Sequence, residues 1–209
     1  MKIFSASLDD SVAIANLHKR GIPSGFLSQQ SNSFLSGLYA YLIKNEIVYC
    51  AKENGKTIGF VAGTLTTKGL YKKFLKRNIP LLVGFVFKNI LSIEFIKKAI
   101  ETLFAPKKTS IDDYKTELPE LLSIVVNKNY NGQGIGQKLV NALEEKLIDL
   151  NVKEYKVVVG ANLAANNFYL RKGFIKQKEF KLHKGETSFI YTKKLSSKIE
   201  KSNTNNGKI

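Results

Sequence analysis

A single cysteine, Cys50, stands among 209 residues, and without a second thiol the chain can form no internal disulfide. A reducing cytoplasm is the simpler setting, and it is the expected one. Cys50 lies in "EIVYCAK", which alternates as a strand does, so a buried structural thiol is expected rather than a nucleophile. The opening "MKIFSASLDDSVAIANLHKR" has no apolar core of the kind a secretory signal carries, and none is expected. No uninterrupted apolar run reaches the roughly 18 residues of a membrane span. The nearest, Ile79–Phe87, stops at Lys88. Helix-turn-helix, zinc-ligand and RNA-binding patterns are lacking, so neither a metal nor a nucleic-acid partner is expected.

Acidic residues are scarce: 17 Asp and Glu face 33 Lys and Arg, a net charge of +16. Lys68–Lys115 carries eleven basic residues against four acidic ones, and Lys193–Ile209 carries five against one. Charge of this kind suits phosphorylated ligands, an anionic membrane or nucleic acid, and a lysine-rich proteome explains it equally well. The hydrophobic fraction, 44%, is that of a globular chain with a substantial core.

Punctuation divides the chain. Ile3–Ser7 reads as a strand, and "SLDDSVAIANLHKR" as a capped helix with Val12, Ile14, Ala15 and Leu17 at helical spacing. "GIPSGFLSQQSN" is a loop before a second helix, Ser33–Lys44. Two strand-like runs flank Asn54-Gly55, the signature of a tight hairpin. The segment 66–116, about fifty residues, is too long for an ordinary connection and reads as a helical insertion or lid. A strand in "ELPELLSIVVN", a helix over Gln133–Leu150, a strand in "KEYKVVVGA", a short helix ending at Gly173 and a hairpin around Lys184-Gly185 follow. One domain over 1–195 is expected, with a polar, basic and disordered tail at 196–209.

The glycine cluster "YNGQGIGQKL", Tyr130–Leu139, sits between a strand and a helix. Such a loop turns unpaired backbone N–H groups and a positive helix end toward an anion. A nucleotide P-loop would close on Gly-Lys-Ser/Thr, whereas Gly136 precedes Gln137-Lys138-Leu139. A dinucleotide loop would read G-x-G-x-x-G with an acidic residue closing the next strand, and neither is present. A tight turn with no ligand also accounts for the glycines taken alone.

The loop gains meaning beside "VVVGANLAANNFYLRKGF". Together the two stretches, about Ser123 to Phe174, resemble the two core motifs of the GNAT acetyltransferase superfamily. Gly132 and Gly134 match the glycines of its Gln/Arg-x-x-Gly-x-Gly/Ala loop, with Asn129 where Gln or Arg is usual. Asn162, Ala165, Phe168-Tyr169 and Gly173-Phe174 match the second motif in order and spacing.

The resemblance implies an α/β fold: a mixed, mostly antiparallel central sheet of about seven strands, V-shaped in the middle, flanked by helices, with the insertion between strands 3 and 4. It implies acetyl-CoA as cofactor, its diphosphate on the N–H groups of Asn131, Gly132, Gln133, Gly134, Ile135, Gly136 and Gln137. Its arm would pair with the backbone of Ile124, Val125 and Val126, and Asn162 would bond that arm. Tyr169 is the candidate acid for the leaving thiolate, against the alternative of a core aromatic. An alkyl amine is only about 0.04% neutral at pH 7, so a proton acceptor helps. Glu120, with Glu117 beside it, is the candidate, against a solvated strand-edge carboxylate.

Ile22, Pro23, Ser24, Gly25 and Phe26 are expected to line the acceptor pocket, with His18 either there or at the helix end facing its dipole. The acceptor implied is a primary amine on a small molecule. A fainter resemblance of the first forty residues to enzymes of bacterial surface-sugar synthesis points to an amino sugar. A protein amine is the enzymatic alternative, and a basic membrane- or nucleic-acid-associated binder is the alternative of another class. Peripheral membrane contact through the insertion is not favoured over a lid or dimer interface, and the chain is expected to be a monomer or homodimer.

Overall fold

The computed structural model describes residues 1–23, 25–78, 117–183 and 186–196. Seven strands form one sheet: β1 (Lys2–Ser5), β2 (Ile47–Glu53), β3 (Lys56–Thr64), β4 (Glu120–Val126), β5 (Glu154–Gly160), β6 (Ile175–His183) and β7 (Glu186–Lys194). Their spatial order is β1-β2-β3-β4-β5-β7-β6. Every neighbouring pair is antiparallel except β4–β5. This is the mixed, mostly antiparallel sheet that the sequence leads one to expect.

Among the described residues five α-helices flank it: α1 (Ser11–Gly21), α2 (Asn32–Asn45), α3 (Leu70–Arg77), α4 (Ile135–Asp149) and α5 (Ala165–Arg171). Local chemistry sets several boundaries. The Ser31 hydroxyl accepts the Phe34 N–H at 3.1 Å and starts α2. Asn54 and Gly55 both hold positive φ, as the tight β2–β3 turn requires. The expected first helix divides in two, a 3₁₀ turn at Leu8–Asp10 and then α1, because Asp10 Oδ2 reaches back to Ser7 N–H at 2.9 Å. The start of the proposed insertion turns at Lys68-Gly69 into α3, which buries Leu70, Phe74 and Leu75. The rest of that segment, 79–116, lies outside the described residues, as do the hairpin tip at 184–185 and the tail from 197.

The sheet has an apolar layer on each side. On one, α1, α2 and α3 bring Ile14, Leu35, Leu38 and Phe74 against Cys50, Phe60, Ala62 and Val125. On the other, α4 and α5 bring Leu139, Leu143, Leu147 and Tyr169 against Val61, Leu121, Tyr155 and Val157. Cys50 is wholly buried, and burial pushes its thiol up to about 12, which makes it an inert core residue. Glu144 Oε1 accepts bonds from Tyr155 Oη and Lys193 Nζ, each at 2.6 Å, and ties α4 to β5 and β7.

Candidate active site

The two parallel strands are joined through only two residue pairs, Glu120↔Lys156 and Leu121↔Val157. Past Leu121 they part, and the sheet opens between the C-terminal halves of β4 and β5. On its other edge β4 keeps its ladder with β3, but the register slips: Ala62 faces Ser123 and Gly63 faces Leu121. Leu122 is the extra residue of this bulge, which bends β4 where the gap begins. The V-shape expected at mid-sheet is therefore present, and Ile124, Val125 and Val126 border it.

At the far end of the gap, β4 runs into the glycine loop. The Asn127 side chain accepts the Asn129 N–H, and Asn131 N–H reaches the Lys128 carbonyl. From Gly132 to Gln137, no N–H meets an acceptor among the described residues, and Lys138 is the first to find one, the Gly134 carbonyl at 3.1 Å. Gly132 and Gly134 hold φ of +77° and +72°, where other residues are strained, and a Cβ on either would project into open space. An uncovered run of N–H groups at the N-terminus of a fifteen-residue helix fits a diphosphate. Asn131 and Gln133 are exposed here. Ile135 turns its side chain into the core, so its N–H alone faces the cradle. Gly136 serves packing as well: a Cβ there would meet the Phe168 ring at 3.3 Å, so α5 sits tightly on the start of α4.

Tyr169 is 4% exposed, on the α4/α5 side of the gap. Its ring lies among those of Phe168, Phe174 and Tyr191, with centroids at 5.3, 5.2 and 6.3 Å. No described residue hydrogen-bonds its hydroxyl, which is unusual for a phenol so buried. Burial holds it above its ordinary range, so it keeps its proton at neutral pH. The neighbouring turn is pinned by Asn166, whose Nδ2 lies within 2.7–3.0 Å of the Gly160, Ala161 and Leu163 carbonyls and whose Oδ1 accepts from Tyr191 Oη at 2.9 Å. Asn162, the asparagine that the motif selects, is exposed in that turn.

Across the sheet, His18 is 4% exposed and bonds Tyr39. It lies in the last turn of α1, as a helix-end histidine would, but its ring is buried in the core beside Phe60: α1 ends with Gly21 against β4, so close that a Cβ there would lie 2.4 Å from Val125 Cγ1. The segment from Ile22 to Gln29 is held from within. Ser28 Oγ donates to the Ile22 carbonyl at 2.5 Å and Gln30 Nε2 to the Phe26 carbonyl at 2.9 Å. Ile22, Gly25 and Phe26 are half-buried and Pro23 is exposed, while Ser24 lies outside the described residues. Glu120 is not a free strand-edge carboxylate: its Oε2 lies 3.4 Å from Lys156 Nζ, and Lys156 is wholly buried. Glu117 is exposed. The His183 side chain lies outside what the structure describes.

Sequence reasoning misses Lys156, Tyr39, Ser123 and Asn166. Lys156 leaves one legible trace, a lone lysine inside the apolar strand "YKVVVG". Tyr39 and Ser123, 84 positions apart, leave none. Among the described residues no His, Cys, Asp or Glu cluster could hold a metal, and no helix is long and apolar enough to cross a membrane.

Residues 14–174 match the family described as "Acetyltransferase (GNAT) family". No curated protein matches by sequence. Among solved structures, the ribosomal-protein-S18-alanine N-acetyltransferase from Escherichia coli superimposes with a TM-score of 0.57 at 16% identity, covering 93% of this chain and 94% of that one. An N-acetyltransferase from Staphylococcus aureus Mu50 gives 0.57 at 17% identity, with 92% and 100% covered. The PaiA N-acetyltransferase from Thermoplasma acidophilum, solved in complex with coenzyme A, gives 0.55 at 14%, with 92% and 98% covered. At such identities the structural likeness is one of fold.

Proposed function

The chain belongs to the GNAT family of acetyltransferases and is an acyl-CoA-dependent enzyme with acetyl-CoA as its donor; from that premise we propose that it acetylates a primary amine on a small, negatively charged acceptor, an amino sugar being the class that fits best. Residues 1–195 act as one acetyltransferase domain. The observation that carries the reading is the parting of β4 and β5 beside the uncovered N–H run of Gly132–Gln137.

The roles follow from these positions. The N–H groups of residues 132–137 hold the diphosphate, the Asn131 N–H being taken by the Lys128 carbonyl, and the Ile124–Val126 backbone and Asn162 hold the arm within the gap. Acetyl-CoA supplies the acetyl group as a thioester. A β4 N–H at the gap polarises the acetyl carbonyl. Tyr169 keeps a proton on an oxygen that no described residue engages, ready for the departing sulfur. Glu120 takes the proton that the amine must lose, with Lys156 beside it to hold the carboxylate in place.

A basic recess supports a charged acceptor. A cavity of about 260 Å³ lies between the end of α2 and α3, lined by Lys68, Lys73, Arg77, Glu46 and Thr66. It adjoins the base: Thr64 pairs with Glu120 across β3–β4 and donates to Glu46 Oε2 at 2.6 Å. Three cations there against one carboxylate suit a phosphate on the acceptor better than a neutral peptide.

Thermal unfolding with and without acetyl-CoA tests the donor site. At a hundredfold excess over its dissociation constant the ligand stabilises by about 2.7 kcal/mol, and for a chain of this size that raises Tm by roughly 5–10 °C. Gly134→Glu, which fills the cradle with a carboxylate, removes the rise. Thiol release with glucosamine, a nucleotide-linked amino sugar and an alanine-ended peptide then ranks the acceptors. Preference for the peptide overturns the small-acceptor reading.

A further inference from the structure

On the side of the sheet opposite Tyr169, three buried or half-buried polar groups from three elements line up. His18 Nδ1 lies 2.5 Å from Tyr39 Oη, and Tyr39 Oη lies 3.1 Å from Ser123 Oγ. Ser123 follows the bulge residue Leu122 and comes two residues after the last β4–β5 pair, at the mouth of the gap. We propose that His18, Tyr39 and Ser123 form a one-way hydrogen-bond chain that presents the Ser123 oxygen, as an acceptor, to the N–H of the incoming amine. The proposal rests on the acetyltransferase reading and names the group that orients the nucleophile within it.

The direction follows from donor and acceptor strength. Burial lowers the His18 imidazole to about 4, so it is neutral and offers one lone pair. Burial raises the Tyr39 phenol, so it keeps its proton. A phenol is a strong donor and a weak acceptor and an imidazole nitrogen a strong acceptor, so the short contact is Tyr39 O–H donating to His18 Nδ1. The Tyr39 oxygen can then only accept, and Ser123 O–H donates to it. With its hydrogen given to Tyr39, the Ser123 oxygen keeps its two lone pairs as acceptors for an N–H at the mouth of the gap. The rings of Tyr39 and Phe60, 5.2 Å apart and edge to face, fix the phenol. Ser123 is a positioning group for the amine, and His18 and Tyr39 act through it.

Ser123→Cys tests the placement without knowledge of the acceptor. With acetyl-CoA, the introduced sulfur attacks the thioester carbonyl, the bond from that carbon to the coenzyme A sulfur breaks, and the thiol proton passes to the released sulfur. Peptide mass mapping then finds an acetyl group at position 123 and none at buried Cys50. If acetyl-CoA raises the Tm of this variant and position 123 stays unmodified, the placement is wrong. If acetyl-CoA does not raise the Tm of the wild type, the acetyltransferase site itself fails, and the chain has no reaction to serve.

Direction is tested in the same background. His18→Asn puts an amide oxygen where Nδ1 stood and keeps the acceptor, whereas His18→Leu removes it. The acetylation rate at position 123 holds in the first and falls about fivefold or more in the second, with equal Tm rises from acetyl-CoA. Equal rates overturn the chain. In wild-type protein, ¹⁵N spectra place the His18 proton on Nε2, and a proton on Nδ1 reverses the direction and overturns the proposal.

Discussion

The two sides of the sheet meet the same gap in opposite states. On the α4/α5 side polar groups are left over: six consecutive N–H groups from Gly132 to Gln137 and the Tyr169 hydroxyl have no partner among the described residues. On the α1/α2 side polar groups are mostly engaged within the protein: His18 bonds Tyr39 and Tyr39 bonds Ser123, which leaves acceptor capacity at the Ser123 oxygen alone in that chain, and Ser28 and Gln30 bond the carbonyls of the loop they hold. A buried unmet group such as the Tyr169 hydroxyl is costly unless a ligand meets it, and the exposed N–H groups of the glycine loop bond water until an anion takes its place. The first side is therefore built to be completed by a ligand, and the second to hold its shape without one.

That contrast can be broken, most sharply at Tyr169. Tyr169→Phe should lower kcat by about 10²-fold or more while leaving the acetyl-CoA-dependent Tm rise intact. It should leave unliganded stability unchanged or slightly higher, because it removes an oxygen with no partner among the described residues. A clear loss of Tm would show the hydroxyl to be structurally engaged after all.

The other side should respond to acid. Its His18 is held at about 4 in the folded protein against 6.5 unfolded, so the unfolded chain binds the proton more tightly. The neutral ring's contribution is complete above about pH 6.5 and is lost as the pH falls toward 4, about 3 kcal/mol in all. His18→Asn should flatten that part of the pH–stability curve. Asp10, lowered by Lys52, Ser7 and Thr57 against its burial, loses its contribution only at still lower pH, below the ordinary carboxylate range, so the two are separable by urea melts between pH 7 and 4.

Two glycines sharpen the comparison further. Gly21→Ala forces a methyl against Val125 and should destabilise by about 1–3 kcal/mol, with partial recovery on adding Val125→Ala. Gly134→Ala meets no atom and should destabilise by only about 1 kcal/mol, from its left-handed backbone. Its larger effect should be weaker acetyl-CoA binding, measured by calorimetry. If Gly134→Ala unfolds the chain and Gly21→Ala does not, the assignment of one glycine to the ligand and the other to packing is reversed.

The ligand-ready side was the legible one. Left-handed turns demand glycine and tight helix packing demands small residues, so "NGQGIG" and the Asn162–Phe174 spacing carry their geometry in local sequence. Residue roles within it were less legible. Ile135 and Gly136 fall in the same motif, yet one side chain is core and the other's absence makes room for Phe168. Asn162 matches the motif, whereas the asparagine that pins the turn is Asn166. The acceptor side gave little warning: His18 reads as a helix-end histidine, and its burial depends on how closely Gly21 approaches β4.

By itself, then, the sequence determined what neighbours along the chain can decide: the periods of strands and helices, the Asn54-Gly55 turn, the glycine cradle and the family. The tertiary structure decided what depends on groups far apart in the chain. It set the parting of β4 from β5 after two pairs, the burial of Lys156 against Glu120, and the meeting of His18, Tyr39 and Ser123. A periodic pattern reports which face of an element is apolar, but which polar groups meet across a sheet is fixed only when register, bulge and helix approach are fixed together.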